Sequence, residues 1–255
     1  MERISSRKNR LIVHFKALSA DSAYRCEKKE FLCDGEKMLR EAISCGASVT
    51  SVLWGERPSF PLSEQIMQYT CPFDLLQYAS PLKNTPGPLF SVRMRTDMPL
   101  DNISSALIME NVQDPGNVGT IIRTANAMGI DIVASVGDCA DVYNFKSVRS
   151  SMGAIFRQGI ISASIAEIRA LADNNGLKLY AAAPSETSAD IRSVGLKNSA
   201  IAIGSEGAGL SDEFLSACDG QIIIPMKECS ESLNAAIAAA IVMWEMSKNT
   251  AGEGK

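Results

Sequence analysis

Gly204-Ser205-Glu206-Gly207-Ala208-Gly209-Leu210-Ser211 follows directly on the apolar run Ser199 to Ile203. Ile224-Pro225-Met226 and then Glu231-Ser232-Leu233-Asn234 come shortly after it. The pattern reads as a buried strand, a glycine-rich turn, a second buried strand and a helix start. Glycine lets a backbone approach a ligand closely, and the first turn of a helix carries N–H groups without intrahelical partners. Two such elements in series point to a ligand cradle made mainly of backbone. The stretch is not the dinucleotide fingerprint, which follows the first strand of its domain. It is not a P-loop either, since no Gly-Lys-Ser/Thr follows. A lone glycine turn is often purely structural. Glu206, inside the turn and directly after an apolar strand, raises the functional reading, because α/β sheets bind ligands at the carboxyl ends of parallel strands.

Outward from this stretch, apolar runs and helical patterns alternate, which predicts an α/β fold with a mostly parallel sheet. Strands are expected at Ala106 to Met109, Ile130 to Val136, Gly159 to Ser162, Leu177 to Ala183, Ser199 to Ile203 and Gln221 to Ile224. Helices are expected over 118–128, with Asn117 as N-cap and Gly129 as its end, and over 144–155, 164–174, 211–217 and 232–247. Residues 249–255 read as a frayed tail. Upstream, residues 5–19, 21–29, 36–45, 61–69 and 74–78 read as helices, and 31–33 and 49–54 as strands. Pro81 to Pro88 holds three prolines and a glycine, the composition of a linker. The expected organisation is therefore a small α/β domain over 1–95 and a larger parallel-sheet domain over 96–255.

Composition narrows the class. Apolar residues are 46% and charged residues 21% of the 255, as in globular proteins. No run is long and apolar enough for a membrane span, and the N-terminus lacks a signal-peptide core. Seven scattered cysteines with no C-x-x-C pair read as reduced cytoplasmic thiols. No zinc-type spacing exists, so no metal is expected. The single histidine, His14, is far from the glycine turn, which sets a Ser-His-Asp triad aside. The net charge of −4 hides an asymmetry: residues 1–95 carry 14 Lys and Arg against 10 Asp and Glu, whereas the remainder carries 11 against 19. The basic half, with Lys28 and Lys29 among its cations, permits an anionic polymer to dock. A solvated basic helix face has the same composition.

Four further groups could carry chemistry. Arg123 stands beside Gly119, Thr120 and Asn126 on the polar side of its helix; it is either a solvated arginine or a phosphate partner. Lys146, Arg149 and Ser151, with Gly153 after them, form the only basic cluster of the acidic half, either a phosphate contact or a plain surface. Ser232 and Asn234 begin the last helix, as caps or as ligand contacts. Leu233, Ile237, Ile241 and Trp244 make an apolar stripe along that helix, which with its many alanines marks core or a subunit interface.

Taken together, Asn111-x-x-Asp114-Pro115-x-Asn117-x-Gly119-x-x-x-Arg123-x-Ala125, then Gly204-x-Glu206-Gly207-x-Gly209-Leu210, then Ile224-Pro225-Met226 and Ser232-Leu233-Asn234 resemble, in order and spacing, the three motifs of the SpoU (TrmH) family of RNA 2′-O-ribose methyltransferases, of the SPOUT class. Lys146-x-x-Arg149-x-Ser151-x-Gly153 also looks like that family. The resemblance covers about residues 105–247. Residues 8–55 resemble the small RNA-binding domain, related to a ribosomal-protein fold, that often precedes it.

The resemblance implies a SPOUT domain with a deep trefoil knot that binds S-adenosylmethionine, and a homodimer whose site is completed across the interface. It places the cofactor on Ala182 and Ala183 at a strand end, on Gly204, Ser205, Glu206 and Gly207, on Ile224, Pro225 and Met226, and on Ser232, Leu233, Asn234 and Ala235. The family's catalytic arginine falls on Arg123, and Asn117, Glu206, Ser232 and Asn234 match its other active-site positions. Lys28, Lys29, Lys146, Arg149 and Ser151 become candidate RNA contacts. The implied reaction is 2′-O-methylation of RNA in the cytoplasm, first of ribosomal RNA, with transfer RNA or a non-catalytic RNA-binding role as alternatives. A small-molecule enzyme is a third reading, suggested by the acidic second half. Arginine normally stays protonated, so Arg123 is expected to orient the ribose and the adjacent phosphate and to assist deprotonation. The sequence departs from the family at Ser205, usually asparagine, at Ala235-Ala236, usually Val-Ser, and at Lys227-Glu228-Cys229-Ser230. These departures bear on cofactor affinity rather than on reaction type.

Overall fold

The computed structural model describes residues 1–95, 98–227 and 232–248. The frayed tail expected over 249–255, and Glu228 to Ser230 of the divergent loop, lie outside them. The chain divides into two compact units, Met1–Thr96 with Asp141–Phe156, and Asp97–Ala140 with Arg157–Lys255. The sequence suggests a single cut near residue 95; the structure adds a second crossing, and Asp141–Phe156 groups with the first unit.

The first unit begins with β1 (Glu2–Arg3), α1 (Arg10–Ala20), α2 (Ser22–Lys28), β2 (Glu30–Asp34), α3 (Glu36–Ser44), β3 (Val49–Gly55), β4 (Met67–Cys71), α4 (Phe73–Ala79) and β5 (Leu89–Arg93). Its sheet runs β1-β4-β3-β5-β2. The β5 strand is antiparallel to both β2 and β3, and the other pairs are parallel. Helix α1 starts where the Asn9 side chain accepts from the Leu11 N–H, and it buries Ile12, Phe15 and Leu18 at helical spacing. Two expectations are corrected here. Residues 67–69 belong to a strand rather than a helix, because Met67 to Cys71 pair in parallel with Ser51 to Gly55. The proline-rich stretch is packed rather than a free linker: Gln77 donates to the Thr85 carbonyl at 2.8 Å and accepts from its N–H at 3.2 Å. The strand that follows, β5, lies inside the sheet.

The second unit supplies β6 (Ser105–Glu110), α5 (Pro115–Met128) and β7 (Ile132–Val136). Helix α6 (Phe145–Ser150) comes next in the chain and belongs to the first unit. The second unit then continues with β8 (Gly159–Ser162), α7 (Ile165–Asn175), β9 (Lys178–Ala182), β10 (Ala189–Asp190), β11 (Ser199–Ile203), α8 (Asp212–Ala217), β12 (Gly220–Ile223) and α9 (Ala235–Lys248). Its sheet is entirely parallel, ordered β10-β12-β9-β11-β6-β7-β8. The central strands β6 and β11 are buried along their whole length, which is why they read as unbroken apolar runs. Among the described residues, no helix is long and apolar enough to cross a membrane.

Local chemistry explains where the helices begin. Ser164 and Glu167 form a capping box at α7. At α5 the cap is Asp114, whose carboxylate accepts from the N–H groups of Gly116 and Asn117. Asn117, expected to be the cap, lies one turn inside, and its amide is left free for another partner. Gly129 closes α5 in the left-handed region, as the sequence predicts.

Segment 141–156 is tied into the first unit by Arg25, which is 2% exposed. Its guanidinium donates to Asp141 Oδ2 at 2.8 and 2.6 Å and to the Leu18 carbonyl at 2.7 Å. Phe145 joins the apolar core beneath α1 and β2, and Phe31 meets the rings of Tyr143 and Phe156.

Candidate active site

Where β9, β11 and β12 end, the second unit opens into a cleft of about 460 Å³, within the range of ligand-binding pockets, which is roughly 300–1,000 Å³. The strand order is the reason it lies there. The chain runs outward from β6 to β7 and β8, then crosses to β9, and β11 returns between β9 and β6. Such a reversal leaves a crevice at the carboxyl ends of the strands. The floor is apolar, with Leu210, Leu215 and Ile222 among its residues, and the rim is the Gly204–Gly209 turn.

The turn closes on itself. Ser205 and Gly209 form an isolated β-bridge, with the Gly209 N–H donating to the Ser205 carbonyl at 3.0 Å and the Ala208 N–H to Ser205 Oγ at 3.2 Å. Glycine is required at position 204: a Cβ there would stand 2.1 Å from the Gly209 carbonyl carbon and 2.4 Å from the Leu210 nitrogen. The exit of the turn is pinned by Glu110, a buried carboxylate at the end of β6, which accepts from Ser211 N–H at 2.8 Å and Ser211 Oγ at 2.6 Å.

At the rim, Glu206 ties its own turn to two helices. Its Oε1 accepts from Asn117 Nδ2 of α5 at 2.9 Å, from Asn234 Nδ2 at 2.6 Å and from the Ala235 N–H of α9 at 3.2 Å. Asn234 Nδ2 also donates to Asn117 Oδ1 at 3.1 Å. The Asn234 Oδ1 accepts from the N–H groups of Ala236 and Ile237, so the same residue caps α9. Among the described residues, all three bonds to Glu206 fall on Oε1.

Of the candidate cofactor residues, Ala182, Ala183, Gly204, Ser205, Glu206, Gly207, Ile224, Met226, Ser232, Leu233 and Ala235 line this one cleft, whereas Pro225 and Asn234 do not. Arg123 is exposed on α5 and makes no hydrogen bond or ion pair with any described residue. It is not drawn into the Asn117–Glu206–Asn234 cluster. Ser232 is exposed at the cleft.

The RNA candidates fall in the first unit. Lys28 and Lys29 are exposed, and Lys28 Nζ reaches Glu27 Oε1 at 2.7 Å. Lys146 and Arg149 are exposed on α6. Ser151 is corrected: it is fully buried, and its hydroxyl donates to the Val148 carbonyl at 2.7 Å, so it faces no ligand. Of the two expectations for the apolar stripe of α9, core or subunit interface, the core is not met within the chain. The buried face is Ala235, Ala236, Ala239, Val242, Met243 and Met246. Ile237 and Trp244 are 53% and 54% exposed and line an open groove with Thr120 and Thr124 of α5.

Sequence reasoning missed Glu110 and Ser211. A glutamate ending the apolar strand Ala106 to Met109 was the available signal.

A parallel α/β unit with a glycine-rimmed cleft at its switch point defines a ligand-binding enzyme fold. The SpoU rRNA Methylase family is matched over residues 104–244, and the chain belongs to that family. It is 30% identical over 249 residues to the 23S rRNA (guanosine(2553)-2′-O)-methyltransferase RlmP of Bacillus subtilis, covering 96% of this chain and 99% of that one. It is 29% identical over 272 residues to the 23S rRNA (uridine(2479)-2′-O)-methyltransferase of Streptomyces viridochromogenes, covering 95% and 91%. The crystal structure of the SpoU methyltransferase AviRb from Streptomyces viridochromogenes, in complex with the cofactor AdoMet, matches with a TM-score of 0.85 at 26% identity, over 96% of this chain and 99% of that one.

Proposed function

We propose that this protein transfers a methyl group from S-adenosylmethionine to a ribose 2′-hydroxyl of RNA, and that the RNA is ribosomal. The observation that carries this reading is the Asn117–Glu206–Asn234 cluster, which ties α5, the glycine turn and the start of α9 together at the mouth of the strand-end cleft. The relatives' names, both of 23S rRNA 2′-O-methyltransferases, support the substrate.

The cleft fits the cofactor. It is large enough for an adenosyl group, its floor is apolar, and Gly204 keeps the wall free of a side chain. Ala182, Ala183, Gly204 to Gly207, Ile224, Met226, Ser232, Leu233 and Ala235 would hold it. When bound, S-adenosylmethionine supplies an electrophilic methyl carbon beside a sulfonium charge. Glu206 presents a carboxylate on that rim, fixed through Oε1, which complements a cation without having to reorganise. Arg123, held by no partner among the described residues, is placed to grip the ribose and the neighbouring phosphate with its planar fork. A guanidinium donates hydrogen bonds and accepts none, so the 2′-hydroxyl proton leaves to that phosphate or to solvent, and the arginine stabilises the oxygen as its charge develops. The remaining acceleration is positioning of the hydroxyl against the methyl carbon.

The finer features follow the same reading. Residues 1–95 dock the RNA, with Lys28 and Lys29 as contacts and Lys146 and Arg149 of segment 141–156 beside them in the same unit, and 96–255 form the methyltransferase domain. The path through β11, β12 and α9 is a deep trefoil knot; the insertion of β11 between β9 and β6, with α9 packed back on α5, supports it. The enzyme works as a cytoplasmic homodimer and needs no metal. The exposed Ile237 and Trp244 face supports the dimer.

Arg123→Ala tests the assignment with labelled S-adenosylmethionine and unmodified ribosomal RNA. The expected result is 2′-O-methylnucleoside from wild type and a loss of at least about 100-fold in the variant, as general acid–base and positioning groups contribute. Cofactor affinity should be unchanged. Near wild-type transfer by Arg123→Ala removes that residue from the mechanism.

A further inference from the structure

A second cavity, of about 510 Å³, opens within the first unit, and the methyl-transfer step above does not use it. Three kinds of surface meet there. Met38 of α3, Leu82 and Met152 give an apolar wall, and Met152 is 54% exposed. Lys37 and Arg149 place two exposed cations on it from different segments. Asp34, at the end of β2, contributes a half-buried carboxylate.

The bonding of Asp34 is one-sided. Oδ2 accepts from the Thr85 hydroxyl and, at 3.4 Å, from the Ser80 hydroxyl. Oδ1 has no hydrogen-bond donor among the described residues. Burial pushes this carboxyl above its ordinary value, against the Thr85 hydroxyl, the Arg149 charge and the Ser80 hydroxyl, which pull it down. The wall is held rather than loose: Gly153, with φ of +92°, sits so close to α3 that a Cβ would stand 2.7 Å from Glu41 Cγ.

Thioether and aliphatic side chains make a polarisable flat for a base. Exposed cations bind phosphate, and a carboxylate accepts from an exocyclic amino group. A paired nucleotide cannot satisfy all three, since its face is stacked and its edge is occupied. We propose that this cavity takes one unstacked nucleotide of the RNA substrate, with its base on the Met38, Leu82 and Met152 wall, its amino edge on Asp34 Oδ1 and its phosphate on Lys37 and Arg149. The proposal rests on the reading of the protein as an RNA-modifying enzyme, and it adds a nucleotide-reading site that shares no residue with the methyl-transfer cleft.

The test is fluorescence anisotropy with the full chain and end-labelled RNA: oligocytidylate, oligouridylate, and a duplex of mixed sequence. Cytosine carries an amino group and uracil does not, so oligocytidylate should bind tighter by at least about fivefold, the lower end of one good edge contact. Arg149→Glu and Lys37→Glu should each weaken single-strand binding about 10-fold. Met152→Ala should weaken it about fivefold, with no effect on duplex. The decisive variant is Asp34→Asn. Thr85 and Ser80 donate to the position of Oδ2, so the amide oxygen takes that place and the amide nitrogen faces the cavity. The cytosine preference should then vanish or reverse toward uracil, an outcome that a merely structural Asp34 would not produce.

Equal affinity for the two homopolymers in wild type overturns the proposal. So does equal weakening of single strand and duplex by the charge reversals, with Met152→Ala silent; that result leaves only an electrostatic surface. S-adenosylmethionine binding by each variant, expected to match wild type, verifies folding independently. Failure of the methyltransferase reading would show as absent methyl transfer and is scored separately from these affinities.

Discussion

Glu206 is an exposed carboxylate that holds two helices through three donors on one oxygen. Glu206→Gln keeps an oxygen for the three donors and removes the charge. Isothermal titration should show S-adenosylmethionine binding weakened by about 10-fold, as for a lost charge-assisted contact, with Tm nearly unchanged. An affinity within about twofold of wild type would reduce Glu206 to a structural tie. Gly204→Ala should act differently. Its Cβ meets backbone of Gly209 and Leu210 rather than any flexible side chain, so the turn must open. Cofactor binding should fall below detection, with Tm lowered by several degrees.

Glu30 carries a residue-scale pH dependence. Burial alone would raise its carboxyl, but hydrogen bonds and charge from His14, with the Thr50 hydroxyl, bring it below the ordinary value of 4.5. A carboxyl depressed in the fold adds stability that is fully present above its unfolded value and is lost as the pH falls through the folded one. Denaturant unfolding should therefore show a plateau above about pH 5 and a decline in acid. Glu30→Gln should flatten part of that decline, and an unchanged acid limb would remove Glu30 as its source.

At the scale of elements, the segment Asp141–Phe156 shows how a fold places a charge cluster. Lys146 and Arg149 lie on a short helix with six residues of its own, which is too short to be stable alone. Arg25 supplies the missing anchorage. Arg25→Met should cost about 2–3 kcal/mol in urea unfolding. That is toward the low side for breaking a buried pair, because the Asp141 side chain is 29% exposed. It should also weaken RNA binding, since the cations move with the segment. Unchanged RNA affinity in a folded Arg25→Met protein would separate this segment from RNA docking. Helix α5 is the counter-case, legible from end to end except for its first turn. Asp114 and Asn117 are both good caps, and only the structure shows that Asp114 takes the role, freeing Asn117 to meet Glu206.

At the scale of the whole molecule, α9 turns its small and flexible residues inward and leaves Ile237 and Trp244 half-exposed. The sequence stripe marked these large residues as a contact surface, and within one chain they are not buried. An exposed tryptophan beside an isoleucine on one helix face is costly in water and is usually covered. The dimer proposed above covers it. Sedimentation velocity should give a dimer for wild type and a monomer for Trp244→Glu, with methyl transfer lost alongside. A monomeric wild type would leave this face to another partner.

Local sequence by itself determined the parallel α/β unit, the glycine turn and the start of α9, because their signals are short-range: unbroken apolar runs, glycines that a close backbone approach demands, and cap residues beside the helices they start. Arg123, Asn117, Glu206 and Asn234 were legible as a set only through spacing that resembles a family, since nothing local distinguishes a cap from a ligand contact. Long-range packing decided the rest. Strand β4 took its form from pairing with β3 against a weak helical signal, and the proline-rich stretch was fixed by Gln77. Ser151 went into the interior, Asp141–Phe156 joined the first unit through a buried arginine more than a hundred residues away, and two side chains and a backbone N–H from helices far apart in the sequence converged on one carboxylate oxygen. Such contacts are set by the closure of the sheet and the burial of charge, which act between residues that no window of sequence holds together.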